Sequence, residues 1–158
     1  MINQLRIVAL CSIPLMLHGC GGNADAAEQR SLTSPVVIHA GVTPYSGGFT
    51  SKGYRIFTSQ TAYQNELANY SADTPQVIDF EENRVMLVDM GQRNTGGYGV
   101  AVESVVDASD HVVVTIVSRV PGQGCMVTQA LTNPYEFLKI ATNKEVLIQE
   151  KLNSVSCE

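Results

Sequence analysis

The sequence predicts a mainly β fold, an antiparallel meander or sandwich carrying one short helix at about 59–70. Three observations predict it. From Arg84 onward the apolar residues fall into runs of strand length, separated by polar or glycine-rich turns. One segment, with Tyr63, Leu67 and Tyr70, repeats at helical spacing. A composition of 44% apolar and 16% charged residues is globular and not disordered.

The elements follow in order. Pro35 to Ala40 is a short apolar run suited to a strand, and Gly41 to Lys52 reads as a long loop broken by glycines and a proline. Gly53 to Phe57 alternates and makes a second strand. Thr58 or Ser59 then offers an N-cap, and the stretch from Gln60 to Tyr70 lacks glycine and proline, so a helix of about three turns fits it. Arg84 to Met90 is apolar on both faces, as a covered central strand should be. Tyr98 to Val106 places Tyr98, Val100, Val102 and Val106 on one face and Glu103 on the other. Val112 to Val117 follows a polar hairpin turn, and Tyr135 to Ala141 and Glu145 to Gln149 complete the five strands from Arg84 onward. Joined as a meander, these strands bring the loops 91–97 and 120–124 to the same end of one sheet. Both loops are dense in glycine, which permits positive φ and close backbone approach. Asn94, Thr95, Gly96, Gly97 and Tyr98, with Pro121, Gly122, Gln123 and Gly124, are therefore the candidate partner-binding residues.

Length and charge limit the function classes. A chain of 158 residues reads as one globular domain, here 35–158, preceded by export and tether segments. The net charge is −5, and Arg6 is the only charged side chain before Cys20, so the remainder is more acidic still. Without a Lys/Arg cluster, nucleic acid and anionic lipid held by charge alone are poor partners.

Residues 1–19 read as a signal peptide. Ile7 to Leu17 is a low-polarity run about half as long as a membrane-crossing helix. Leu17-His18-Gly19-Cys20 resembles the bacterial lipobox, departing from it at His18, where a small residue is usual. The resemblance implies that Cys20 becomes the first mature residue and carries acyl chains, palmitate among them. Two or more such chains hold a protein stably at a membrane. Gly21 resembles the sorting default of outer-membrane lipoproteins, so the expected place is the envelope, lipid-anchored at the outer membrane. Residues 20–34 have no apolar period and read as a tether.

Residues 77–148 resemble the C-terminal domain of the PrcB family. The residues carrying the likeness are Asp79-Phe80, Met86 to Met90, Asn94-Thr95-Gly96-Gly97-Tyr98, and above all the run from Pro121 through Cys125, Thr128 and Asn133 to Tyr135. The resemblance implies a small secreted or lipid-anchored module that associates with a surface protease, acts on its assembly or stability, and has no catalytic role.

Enzyme chemistry is poorly represented. His39 and His111 stand far apart, neither with a second ligand at metal-site spacing, and no metal or cofactor is expected. Asp79, Glu81 and Glu82 read as a solvated loop. No nucleophile elbow, Walker loop or dinucleotide fingerprint is present. Cys125 on its glycine-rich loop could be a nucleophile, but it lacks the flanking signature of cysteine proteases. With Cys11 removed and Cys20 lipidated, Cys125 and Cys157 are the two that remain in an oxidising compartment, and a disulfide between them is expected. The chain-entropy model gives such a ring roughly 3–4 kcal/mol. Two alternatives stay beside the protease-binding module. One is a protease inhibitor, since Asn94 to Tyr98 resembles a loop of chagasin-type inhibitors. The other is a structural envelope lipoprotein without a protease partner.

Overall fold

A computed structural model describes residues 30–31, 34–42 and 49–157. The signal peptide, Cys20 and the tether up to residue 29 lie outside these. The described strands are β1 (Arg30–Ser31), β2 (Val36–Val42), β3 (Gly53–Phe57), β4 (Arg84–Asp89), β5 (Gly99–Asp107), β6 (His111–Pro121), β7 (Pro134–Ile140) and β8 (Glu145–Val155), with one helix, α1 (Gln60–Leu67). The fold is mainly β, as the strand-length runs predict. β1 falls inside the segment read as tether.

The strands make two sheets, not one meander. An outer sheet has the order β1-β5-β6-β8 and a middle sheet the order β2-β7-β4-β3. β4 and β5, consecutive in the chain, belong to different sheets. β8 pairs with β6 in parallel, because the chain crosses to the middle sheet as β7 before it returns. The other pairings are antiparallel.

The middle sheet explains why β4 is apolar throughout. Val85 and Leu87 face one way and join a cluster with Phe57, Tyr63, Leu67, Tyr70, Tyr135 and Phe137. Met86 and Val88, with Leu138 and Ile140 of β7 on the same face, point the other way, toward Val112, Val114 and Ile116 of β6. The layers are thus helix, middle sheet, outer sheet.

α1 starts where the sequence offers a cap: Ala62 N donates to Ser59 Oγ at 3.3 Å. It ends at Leu67, earlier than the expected 70. The following turn tightens, with Tyr70 N donating to Leu67 O at 2.8 Å, and Tyr70 still reaches the core. Tyr63 Oη lies 2.8 Å from His39 Nε2, which leaves that histidine built into the aromatic cluster. His111 sits at a turn beside Asp110, as a solvated residue would. Asp79 accepts from Glu81 N at 3.0 Å in an exposed loop.

One facing differs within β5. Its register against β6 shifts between Val102 and Ser104, so two residues oppose one near Glu103. Val100 and Val102 face the middle sheet, but beyond the bulge Val105 takes the inward place expected for Val106. Among the described residues no helix is long and apolar enough to cross a membrane.

Candidate functional site

The two glycine-rich loops do share one end, for a simpler reason than a meander. β5 and β6 form a hairpin closed by Ala108 N donating to His111 O at 2.9 Å. Its register sets Gly99 opposite Arg119, so the loop entering β5 must lie beside the loop leaving β6. The juxtaposition needs this one hairpin and nothing more.

A third segment braces the pair. Arg93 and Thr132 exchange backbone hydrogen bonds of 2.7 and 2.9 Å, Gly96 N donates to Thr128 O at 2.9 Å, and Thr132 Oγ1 donates to Thr95 O at 2.8 Å. Gly97 has a φ of 86°, and a Cβ there would stand 2.8 Å from Val127 Cγ1 and 3.2 Å from Pro121 Cβ. Gly122 N donates to Val155 O at 2.9 Å, and a Cβ on Gly122 would come within 2.6 Å of that oxygen. The close approaches at Gly97 and Gly122 are therefore made to the chain's own segments. Gly124, at φ 85°, faces open space and stays exposed beside Gln123 and the fully exposed Met126. Tyr98 is half-buried, with the Arg93 guanidinium carbon 5.1 Å from its ring centroid. Asn94 is exposed and Thr95 half-buried.

Cys125 and Cys157 form a disulfide, with Cα atoms 4.9 Å apart. It joins the loop after β6 to the residues after β8. The sulfur of Cys125 is thereby held in a cross-link.

Sequence reasoning missed Asp89, the residue that organises this end. Its carboxylate is fully buried and accepts from Gly91 N at 2.6 Å, Tyr70 Oη at 2.6 Å and Phe49 N at 2.9 Å. With its amide nitrogen turned inward, Asn133 donates to the same carboxylate and to Gly91 O. Burial, then the hydrogen bond to Asp89, pushes the Tyr70 hydroxyl far above its ordinary value, so it stays protonated and donates. One carboxylate thus ties α1's trailing turn, the 49–52 segment, the start of the 91–98 loop and the 127–133 brace. The available signal was an acid closing the apolar run Arg84 to Met90.

At the opposite end of the sandwich, a groove of about 400 Å³ is lined by Ile56, Thr58, Arg84, Lys144, Glu145 and Val146, among others. Both of its cations are engaged. Arg84 donates to Phe80 O and Asn83 O, and Lys144 donates to Asp107 Oδ1 and Ala108 O. The loop end and this groove are distinct surfaces.

Two stacked sheets, one face of the middle one sealed by a helix and one end closed by braced glycine-rich loops, define a small β-sandwich module whose constructed surface is a loop edge. The family model described as PrcB C-terminal matches residues 84–141, in agreement with the likeness read from the sequence. The match is shorter than the 77–148 span read from the sequence; it takes in β4 to β7, both glycine-rich loops and the brace. No curated protein and no solved structure matches the chain.

Proposed function

We propose that this protein is a non-catalytic, lipid-anchored envelope module that binds an exported protease and stabilises it. The observation that carries this reading is the PrcB C-terminal match over 84–141, which takes in both glycine-rich loops and the 127–133 brace. Three strapped segments held by a buried carboxylate make a rigid edge, and rigid edges bind with little ordering cost. The reading uses no metal, cofactor, nucleic acid or small-molecule substrate. Cys20 serves as the anchor, and the Cys125–Cys157 bridge holds the loop end in shape.

The test is affinity capture from detergent-solubilised envelopes with the lipid-anchored chain as bait. An active protease is expected to co-purify, and Cys20→Ser should lose both labelled palmitate and the envelope fraction. Recovery of a protease that has lost its activity turns the module into an inhibitor. Recovery of none makes it a structural lipoprotein.

A further inference from the structure

The two sheets do not cover each other evenly. On one side, Glu150 of β8 accepts from Tyr54 Oη of β3 at 2.9 Å and pairs with Lys52, which sets β8 over β3. Val105 of β5 shares a core cluster with Leu138 and Ile140, which sets β5 over β7. One strand further out lies β2, and the strand above it is β1. β1 pairs with β5 through two positions, Arg30 with Asp107 and Ser31 with Val106, and by Val36 the chain is already in β2. Among the described residues, 99–105 of β5 therefore has no strand on that side.

The consequences appear on β2. Residues directly opposite in an antiparallel pair share a face. Val37 stands opposite Leu138, Ala40 opposite Glu136 and Val42 opposite Pro134, so these three β2 side chains point toward the outer sheet. They nevertheless remain in solvent: Val37 is 51% and Val42 56% exposed, and Ala40 is exposed as well. Glu136 occupies the same inner face, beside Ala40 and Val88. It is half-buried, and among the described residues it has no ion-pair or hydrogen-bond partner. Burial pushes its carboxyl above the usual glutamate range. Among the described residues, an apolar strand face, a strand edge without a neighbour and a half-buried acid without an ion-pair or hydrogen-bond partner thus surround one lateral opening, which leads on to the braced loops through Tyr98 and Gly99.

We propose that this opening receives an extended segment of a protein partner, added as a strand to the 99–105 edge of β5, with alternate apolar side chains on Val37, Ala40 and Val42 and a lysine or arginine opposite Glu136. β1 already adds itself to this edge at 106–107, so the edge accepts a strand. The backbone supplies the hydrogen bonds, the valines the apolar contact, and the acid the choice of an inward-facing cation. The inference rests on the reading of the chain as a binding module and names the chemistry that module selects.

The probe is a fluorescent heptapeptide, Val-Thr-Lys-Thr-Val-Thr-Val, compared with the same peptide carrying Glu for Lys, each titrated onto the purified chain. The lysine peptide should bind more tightly by roughly tenfold or more. Glu136→Gln should erase that preference, and Val42→Glu should weaken both peptides. Glu136→Gln removes a charge that burial disfavours, so its melting temperature at neutral pH should not fall, which verifies its folding. Amide exchange at 99–105 should slow when the lysine peptide binds. Equal affinity of the two peptides, an unchanged preference in Glu136→Gln, or slowing confined to the outer edge of β8 overturns the proposal. Capture of an active protease by Glu136→Gln and Val42→Glu as efficiently as by wild type keeps the protease-binding reading and moves its site away from this opening.

Discussion

Among the described residues no cation pairs with Asp89, and hydrogen-bond donors make its burial tolerable. Four groups converge on it: two backbone amides, a tyrosine hydroxyl and an asparagine amide. Removing the carboxylate leaves those buried donors unsatisfied, which costs far more than one hydrogen bond is worth. Asp89→Ala should therefore lower stability by about 3–5 kcal/mol, and Asp89→Asn, which keeps one acceptor oxygen, by about half of that. Urea denaturation midpoints of the two variants check the ordering. Equal losses would mean that the carboxylate only fills space. Glu150 obeys the opposite balance from Glu136. Burial raises it, but hydrogen bonds from Lys52, Ser118 and Tyr54 outweigh that, and its carboxyl ionises below the usual range. A depressed acid contributes stability above its unfolded value, and that contribution fades as pH falls through the folded one. Glu150→Gln should accordingly destabilise at neutral pH and match wild type in strong acid, read as melting temperature against pH.

At the scale of the element, the brace is the part most open to test by a single methyl group. Gly97→Ala adds both a disfavoured φ and a contact with Val127, whereas Gly124→Ala adds the disfavoured φ alone. The first should cost about 2 kcal/mol or more and the second about 1 kcal/mol. Chemical denaturation of both variants measures the difference, which belongs to the contacts with Val127 and Pro121. Much of this level was legible in the sequence. β3 was bounded residue for residue, Ser59 announced α1, and the two loops were brought together by a hairpin whose turn was visible. The partition into two sheets was not legible. β4 is apolar on both faces over 85–88 because one face meets aromatic rings and the other meets valines, and a run of that kind suits the centre of any covered sheet. The parallel return of β8 beside β6 left no local trace, since it depends on a crossover through another layer. The bulge at Glu103 was hidden for a related reason: with valines at 102, 105 and 106, either inward choice fits the pattern. Asp89 escaped because nothing in the run Arg84 to Met90 shows the donors that gather on its one acid.

At the scale of the whole molecule, the Cys125–Cys157 bridge fastens the outer sheet to the loop end, and its ring encloses all of β7 and β8. Reduction should lower stability by roughly 3–4 kcal/mol. Unfolding midpoints with and without a phosphine reductant check this, and an unchanged midpoint would assign the loop end's rigidity to Asp89 and the brace alone. The layered order also bears on how far the family match can be carried as a physical unit. The matched stretch, 84–141, contributes two strands to each sheet. It leaves behind β8, which lines β6 over its full length, and β2, β3 and α1, which flank and cap the middle sheet. Cut out and expressed alone, it would carry raw strand edges on both layers and a bare aromatic surface where Tyr63 and Leu67 had packed. The segment that the family model matches is therefore no portable cassette. Grafted into another protein, it would aggregate unless its host supplied those missing strands, and any transplant of the stretch has to take the flanking sequence with it.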